Sequence, residues 1–97
     1  MSESDFIRKI KAYLETVPGC FSWKEHGGMY GTAGIPDVIC CYKGRFVAFE
    51  AKMPGNKPTA LQLQTIRKIQ AAGGEAEVVY SVDAVKAVMT HVEETAK

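Results

Sequence analysis

Two carboxylates and a lysine, Asp37, Glu50 and Lys52, stand where a β-hairpin would bring them together. Side chains alternate between the two faces of a strand, so Glu50 and Lys52 share one face of the segment RFVAFEAK. A two-residue turn at Lys43-Gly44 sets Asp37 opposite Glu50, and a four-residue loop keeps the same register. Because directly opposed residues have Cβ atoms about 5 Å apart, the sequence predicts two adjacent carboxylates with a lysine on the same face.

Two opposed carboxylates repel each other, and a fold tolerates them when a cation lies between them. Mg²⁺ is a suitable cation because it prefers oxygen ligands and often uses only one or two carboxylates. The carbonyl of Ala51, between Glu50 and Lys52, offers a third protein oxygen, and Lys52 would be a cation near an attacking water or a phosphate. The alternative is an ordinary solvated strand end without a chemical role.

The elements that would hold these residues follow from hydrophobic periodicity and capping residues. Apolar residues within 6–17 are spaced as on one face of a helix, which Pro18-Gly19 ends. Strands are predicted at residues 20–24, 37–42, 45–52 and 75–80, and helices after the capping residues Thr59 and Ser81. The predicted order is αβββαβα, an α/β (α+β) fold with a mixed four-stranded sheet flanked by helices. The last two strands should be parallel, since a helix connects them.

Length and composition limit the class of protein. The chain has 97 residues, 46% of them hydrophobic, which suits one domain over residues 1–97 and excludes a disordered chain. Without a membrane-length apolar run or a signal-peptide pattern, we expect a cytoplasmic protein. Cys20, Cys40 and Cys41 should then be reduced and packed in the core. The net charge of +1 gives no bulk indication of a nucleic-acid partner.

The segments around these residues resemble a known group of nucleases. Ile35-Pro36-Asp37 and Glu50-Ala51-Lys52 are similar to the signature of the PD-(D/E)XK superfamily. Residues 34–88 resemble more specifically the VRR-NUC (virus-type replication-repair nuclease) family, through GIPD, GRFVAFEAK, the TALQ segment and Gly73-Gly74. The resemblance is to the minimal stand-alone type of phages and bacteria. It implies a metal-dependent endodeoxyribonuclease, located in the host cytoplasm if phage-encoded and suited to DNA repair.

The resemblance also implies a role for each residue of the site. Asp37 and Glu50 would hold Mg²⁺ or Mn²⁺ together with the Ala51 carbonyl, and Lys52 would position or activate the attacking water. Gln62 would orient Lys52 or the water. A glutamine at this position is equally well explained as the third residue of a capping box.

A glutamate on the first helix is a further expectation from the resemblance. Glu3 lies on the same stripe of this helix as Ile7, Ile10 and Leu14. Glu15 is rotated from Glu3 by roughly 120° and is expected to be solvated. The sequence therefore favours Glu3 as the helix glutamate of the site.

Small stand-alone members of this family resemble Holliday-junction resolvases. The resemblance implies a homodimer that acts on branched DNA, in which the two active sites of the dimer make the two paired cuts. Residues 21–23 and Met29-Tyr30 are candidate dimer surfaces. The alternatives are a nuclease that acts on flaps, ends or single strands, and a catalytically silent DNA-binding module of the same fold. Weaker candidates for phosphate contacts are Lys24, Lys43, Arg45, Lys57, Arg67 and Lys68.

Overall fold

The computed structural model describes residues 1–26 and 31–96, which form three helices and a four-stranded sheet. The elements are α1 (Glu3–Glu15), β1 (Cys20–Lys24), β2 (Val38–Tyr42), β3 (Arg45–Ala51), α2 (Ala60–Ala71), β4 (Glu75–Val79) and α3 (Val82–Thr95). The predicted αβββαβα order and the fold class are confirmed. None of the helices within the described residues is long and apolar enough to cross a membrane.

Three strand ends differ by one residue from the prediction. β2 begins at Val38 rather than Asp37, β3 ends at Ala51 rather than Lys52, and β4 ends at Val79 rather than Tyr80. Residue pairing between neighbouring strands stops at these positions, because the chain turns away from the sheet toward its connecting loops. Asp37 and Lys52 are therefore loop residues anchored at strand ends.

The strands lie in the order β1-β2-β3-β4. The first two pairs are antiparallel and β3 runs parallel to β4, as the intervening helix predicts. Tyr42 pairs with Arg45 across a two-residue turn in which Lys43 (φ 54°) and Gly44 (φ 75°) are both left-handed. This backbone conformation matches the twist of a hairpin and fixes its register.

Helices cover both faces of the sheet. On one face Val47, Phe49 and Ala51 of β3 are fully buried in a cluster with residues of α1 and α3. On the other face Ala48 packs with Ile66 of α2. β3 is thus shielded from water on both sides, so any charged side chain within it is also shielded.

The three cysteines are free thiols with different environments. Cys40 is buried, Cys20 is half-buried and Cys41 is exposed. Adjacent residues of a strand point to opposite faces, and α2 leaves Cys41 uncovered at its end of the sheet. The expectation of core packing is therefore wrong for Cys41.

Capping residues define where the helices begin. Ser2 and Asp5 form a capping box at α1, and the hydroxyl of Ser81 accepts from the amide of Ala84 at α3. Thr59 caps α2 in a box completed by Gln62. The capping box of Thr59 and Gln62 fixes the orientation of the first turn of α2.

Candidate active site

The centre of the candidate site is a buried acid in β3. The Glu50 side chain is 2% exposed, and its Oε1 atom has no hydrogen-bond partner among the described residues. Burial disfavours the charged form of a carboxyl group, and a neighbouring negative charge disfavours it further. Desolvation, followed by the charge of Asp37, accordingly raises the pKa of Glu50 from 4.5 to about 8.

Asp37 is held between the ends of β1 and β3 by hydrogen bonds from two backbone amides. Its carbonyl oxygen accepts a hydrogen bond of 2.8 Å from the amide of Glu25, and its Oδ2 atom accepts one of 2.9 Å from the amide of Ala51. The β2–β3 register, extended by one residue beyond Val38 and Phe49, sets Asp37 opposite Glu50. The two predicted carboxylates are therefore neighbours.

Lys52 follows β3 and reaches back to the same acid. Its Nζ atom lies 3.8 Å from Oε2 of Glu50, and its side chain is 14% exposed. Its backbone amide donates a hydrogen bond of 3.0 Å to the carbonyl of Val79, which ties this loop position to β4. The positive charge of Lys52 opposes the rise in the pKa of Glu50, although burial dominates.

Gln62 completes the capping box of α2 and also contacts the buried acid of β3. Its Oε1 atom accepts a hydrogen bond of 2.9 Å from the amide of Thr59, which completes the capping box. Its Nε2 atom donates a hydrogen bond of 3.3 Å to Oε2 of Glu50. The capping bond fixes which end of the amide faces the helix terminus, so the donor end points toward the buried carboxyl group.

The two glutamates at the ends of α1 differ in their relation to Glu50. The negative charge of Glu3 adds to the rise in the pKa of Glu50, after burial and the charge of Asp37. Glu15 is exposed and has no such effect. Of the two, Glu3 is therefore the one whose charge acts on the cluster.

The donor set suits a hard divalent cation. Its two carboxylates are adjacent, and Oε1 of Glu50 is buried without a hydrogen-bond partner among the described residues. Within residues 1–26 and 31–96, no three or more His, Cys, Asp or Glu side chains form a metal-binding group. Two carboxylates with water and a backbone carbonyl are typical ligands of Mg²⁺, whereas zinc is usually bound by His and Cys.

The sequence pattern did not single out Glu25, whose backbone amide donates to the carbonyl oxygen of Asp37. Besides its backbone contact with Asp37, its Oε2 atom accepts a hydrogen bond of 3.0 Å from the indole of Trp23. The available signal was the spacing of Trp23 and Glu25, because residues two apart in an extended chain point to the same side. Met29 and Tyr30, proposed as dimer contacts, lie outside the described residues, and Phe21 is 70% exposed beside Trp23.

Comparison with known proteins shows which solved structures have a similar fold. No sequence-family model matches the chain, and no curated protein matches it in sequence. A solved VRR_NUC domain structure is similar with a TM-score of 0.74 and 23% identity, covering 94% of this chain and 98% of that one. Hjc of Archaeoglobus fulgidus, a Holliday junction resolvase from an archaeal hyperthermophile, is similar with a TM-score of 0.61 and 20% identity, covering 80% and 67%.

These similarities confirm the resemblance to VRR-NUC at the level of the fold. The element order and the mixed sheet are those of a VRR_NUC-like fold, and the match extends over nearly the whole chain. The chemistry must be argued from the site itself, because one fold can carry different activities.

Proposed function

We propose that the protein is a divalent-metal-dependent DNA endonuclease that hydrolyses phosphodiester bonds at Asp37, Glu50 and Lys52. The observation that carries this proposal is the buried Glu50, with an unpartnered oxygen, set beside Asp37 and within 3.8 Å of Lys52. A buried acid beside a second carboxylate is costly for stability and is typical of a functional site. The VRR_NUC-like fold, shared with a resolvase, supports the same activity.

Asp37 and Glu50, with the carbonyl of Ala51, are the residues that would hold Mg²⁺ or Mn²⁺. A bound divalent cation would supply a water of lowered pKa and would neutralise charge on the phosphate. Glu50 would lose its proton to bind the cation, and the positive charge of the cation would then offset the repulsion between the two adjacent carboxylates. The same pair is tolerated without a cation because the raised pKa of Glu50 keeps it protonated at neutral pH.

The remaining residues orient the reacting groups. Lys52 presents a cation beside the carboxylates, where it would position the attacking water and stabilise negative charge that develops on the phosphate. Gln62 holds Oε2 of Glu50 through its amide, which the helix cap keeps in place. Glu3, at the start of α1, would act on these carboxylates through its negative charge.

Branched DNA is the proposed substrate and a homodimer the proposed assembly. The similarity to Hjc, a Holliday junction resolvase, supports the proposed substrate. A four-way junction has two-fold symmetry and needs two paired cuts, which a two-fold dimer provides. Sedimentation analysis tests the dimer, and symmetric nicks in a labelled junction test the substrate.

The activity is tested by cleavage of plasmid, flap and four-way-junction DNA with Mg²⁺, Mn²⁺ or a chelator. Asp37→Ala and Glu50→Ala should each lower the metal-dependent rate about 100-fold or more, as expected when a group that stabilises the transition state is lost. Glu15→Ala removes an exposed acid from α1 and should cleave like the wild type. Unchanged cleavage by the first two variants would refute the site, and no metal-dependent cleavage of any DNA would refute the enzyme.

A further inference from the structure

Charged residues are unevenly distributed between the two sides of the sheet. The segment 51–74, which contains α2, has Lys52, Lys57, Arg67 and Lys68 but no Asp or Glu. The segment 75–96, which contains β4 and α3, has Lys86 as its only Lys or Arg. Its acidic residues are Glu75, Glu77, Asp83, Glu93 and Glu94. Because α2 and α3 cover opposite faces of the sheet, a basic helix lies on one face and an acidic helix on the other, where α1 adds Arg8, Lys9 and Lys11.

Two of the lysine and arginine side chains predicted to contact phosphate are already engaged elsewhere. Arg45 forms an ion pair of 3.0 Å with Glu75 on the α3 side. Lys43 lies over the ring of Tyr42, 5.8 Å from its centroid, at the end of β2 far from Asp37. These contacts leave them poorly placed to neutralise a phosphate near the site.

Lys57, Arg67 and Lys68 are exposed, and within the described part of the chain none of them forms an ion pair. We call them the basic α2 surface. Gln62 and Ile66 face the sheet, so Arg67 and Lys68 point away from it on either side of the outer face of α2. Lys57 precedes the first turn of α2, and that turn reaches Glu50 through Gln62. The basic α2 surface therefore begins next to the candidate site.

From this arrangement we infer that DNA lies with its phosphate backbone along the basic α2 surface while one phosphodiester reaches Asp37 and Glu50. The inference rests on the proposed function and specifies which side of the protein faces the substrate. Phosphates attract unpaired lysine and arginine side chains and release counterions on binding, whereas the acidic α3 side repels a polyanion. DNA is thus directed to the same side of the sheet that carries the carboxylates.

The test compares two matched Arg-Lys pairs. Arg67→Gln with Lys68→Gln changes α2, and Arg8→Gln with Lys9→Gln changes the exposed pair on α1, which packs on the opposite sheet face. Affinity for labelled duplex DNA is measured by fluorescence anisotropy at several salt concentrations, with a chelator to prevent cleavage. The slope of log affinity against log salt is negative, and the α2 double variant should reduce its magnitude by about 1.8, which is about 0.9 per lost phosphate contact. The α1 double variant should keep the wild-type slope.

Two outcomes overturn the inference: an unchanged slope in the α2 double variant, or an equal loss in both double variants. Thermal melting of each variant checks that binding losses do not come from unfolding. The proposed function is tested separately by metal-dependent cleavage. If the wild type cleaves DNA but the α2 double variant keeps the wild-type salt slope, only the inference about the basic α2 surface is refuted. If the α2 double variant loses salt slope but the wild type cleaves no DNA, only the proposed endonuclease activity is refuted.

Discussion

Replacing Glu50 with glutamine should make the metal-free protein more stable at alkaline pH. The folded pKa of Glu50, about 8, lies above its ordinary value of 4.5, so the folded protein binds this proton more tightly than the unfolded chain. The stabilisation is complete below the unfolded pKa, and it is lost as pH rises through the folded pKa. One pKa unit corresponds to about 1.4 kcal/mol, so ionising Glu50 in the fold costs about 3–5 kcal/mol.

Glu50→Gln retains the shape of the protonated side chain and cannot ionise. Below the ordinary pKa of Glu50, the variant and the wild type should have nearly equal free energies of unfolding. Above the folded pKa, the variant should be more stable by about 3–5 kcal/mol. Urea unfolding of the variant and the wild type, measured in the presence of a chelator at pH values below and above both pKa values, gives these free energies. Glu77→Gln, which changes an exposed acid of β4, should follow the wild-type pH profile.

Added Mg²⁺ or Mn²⁺ should stabilise the wild type more than the glutamine variant and so reduce the difference in stability between them. A ligand that binds only the folded state stabilises it in proportion to the logarithm of its concentration over Kd. The ionised Glu50 of the wild type provides a ligand, whereas the glutamine variant lacks that charge and should gain little. The reasoning is refuted if Glu50→Gln shows the same decline in stability with pH as the wild type. Equal stabilisation of both proteins by the metal would refute the proposed cation site.

Three further substitutions test local features of the fold and the site. Gln62→Ala should lower stability by about 1 kcal/mol through loss of the cap and should slow cleavage, whereas Gln64→Ala on the exposed side of α2 should do neither; equal rates would exclude a role for Gln62 in cleavage. Lys43→Asn should raise the free energy of unfolding by up to about 1 kcal/mol, since asparagine suits the left-handed turn, and a lower urea midpoint would contradict this. Gly34→Ala should destabilise by about 1–3 kcal/mol, because φ is 80° and a Cβ would lie 2.7 Å from Oγ1 of Thr65; an unchanged midpoint would contradict the close packing of this loop on α2.

The pairing of Asp37 with Glu50 was predictable from the sequence because it depends on local rules. Side chains alternate along a strand, and the short turn at Lys43-Gly44 fixes which residues face each other. The capping residues likewise predicted where α2 and α3 begin. These signals involve neighbours in the chain, so they hold whatever the rest of the protein does.

The strand ends and the environment of Cys41 were predicted less well. Asp37 and Lys52 lie just outside the strands to which the pattern assigned them, because the extent of pairing depends on the neighbouring strand. The exposure of Cys41 depends on how far α2 extends over the sheet. Hydrophobic pattern alone does not contain that information.

The sequence by itself determined the order of the elements, the hairpin register and the proximity of the two carboxylates. Only the tertiary structure decided that Glu50 is buried, since this requires β4 beside β3 and helices on both sheet faces. It also decided that Gln62 reaches Glu50. Such contacts depend on how apolar faces far apart in the chain pack together, and that packing converts an ordinary acid into one with a raised pKa.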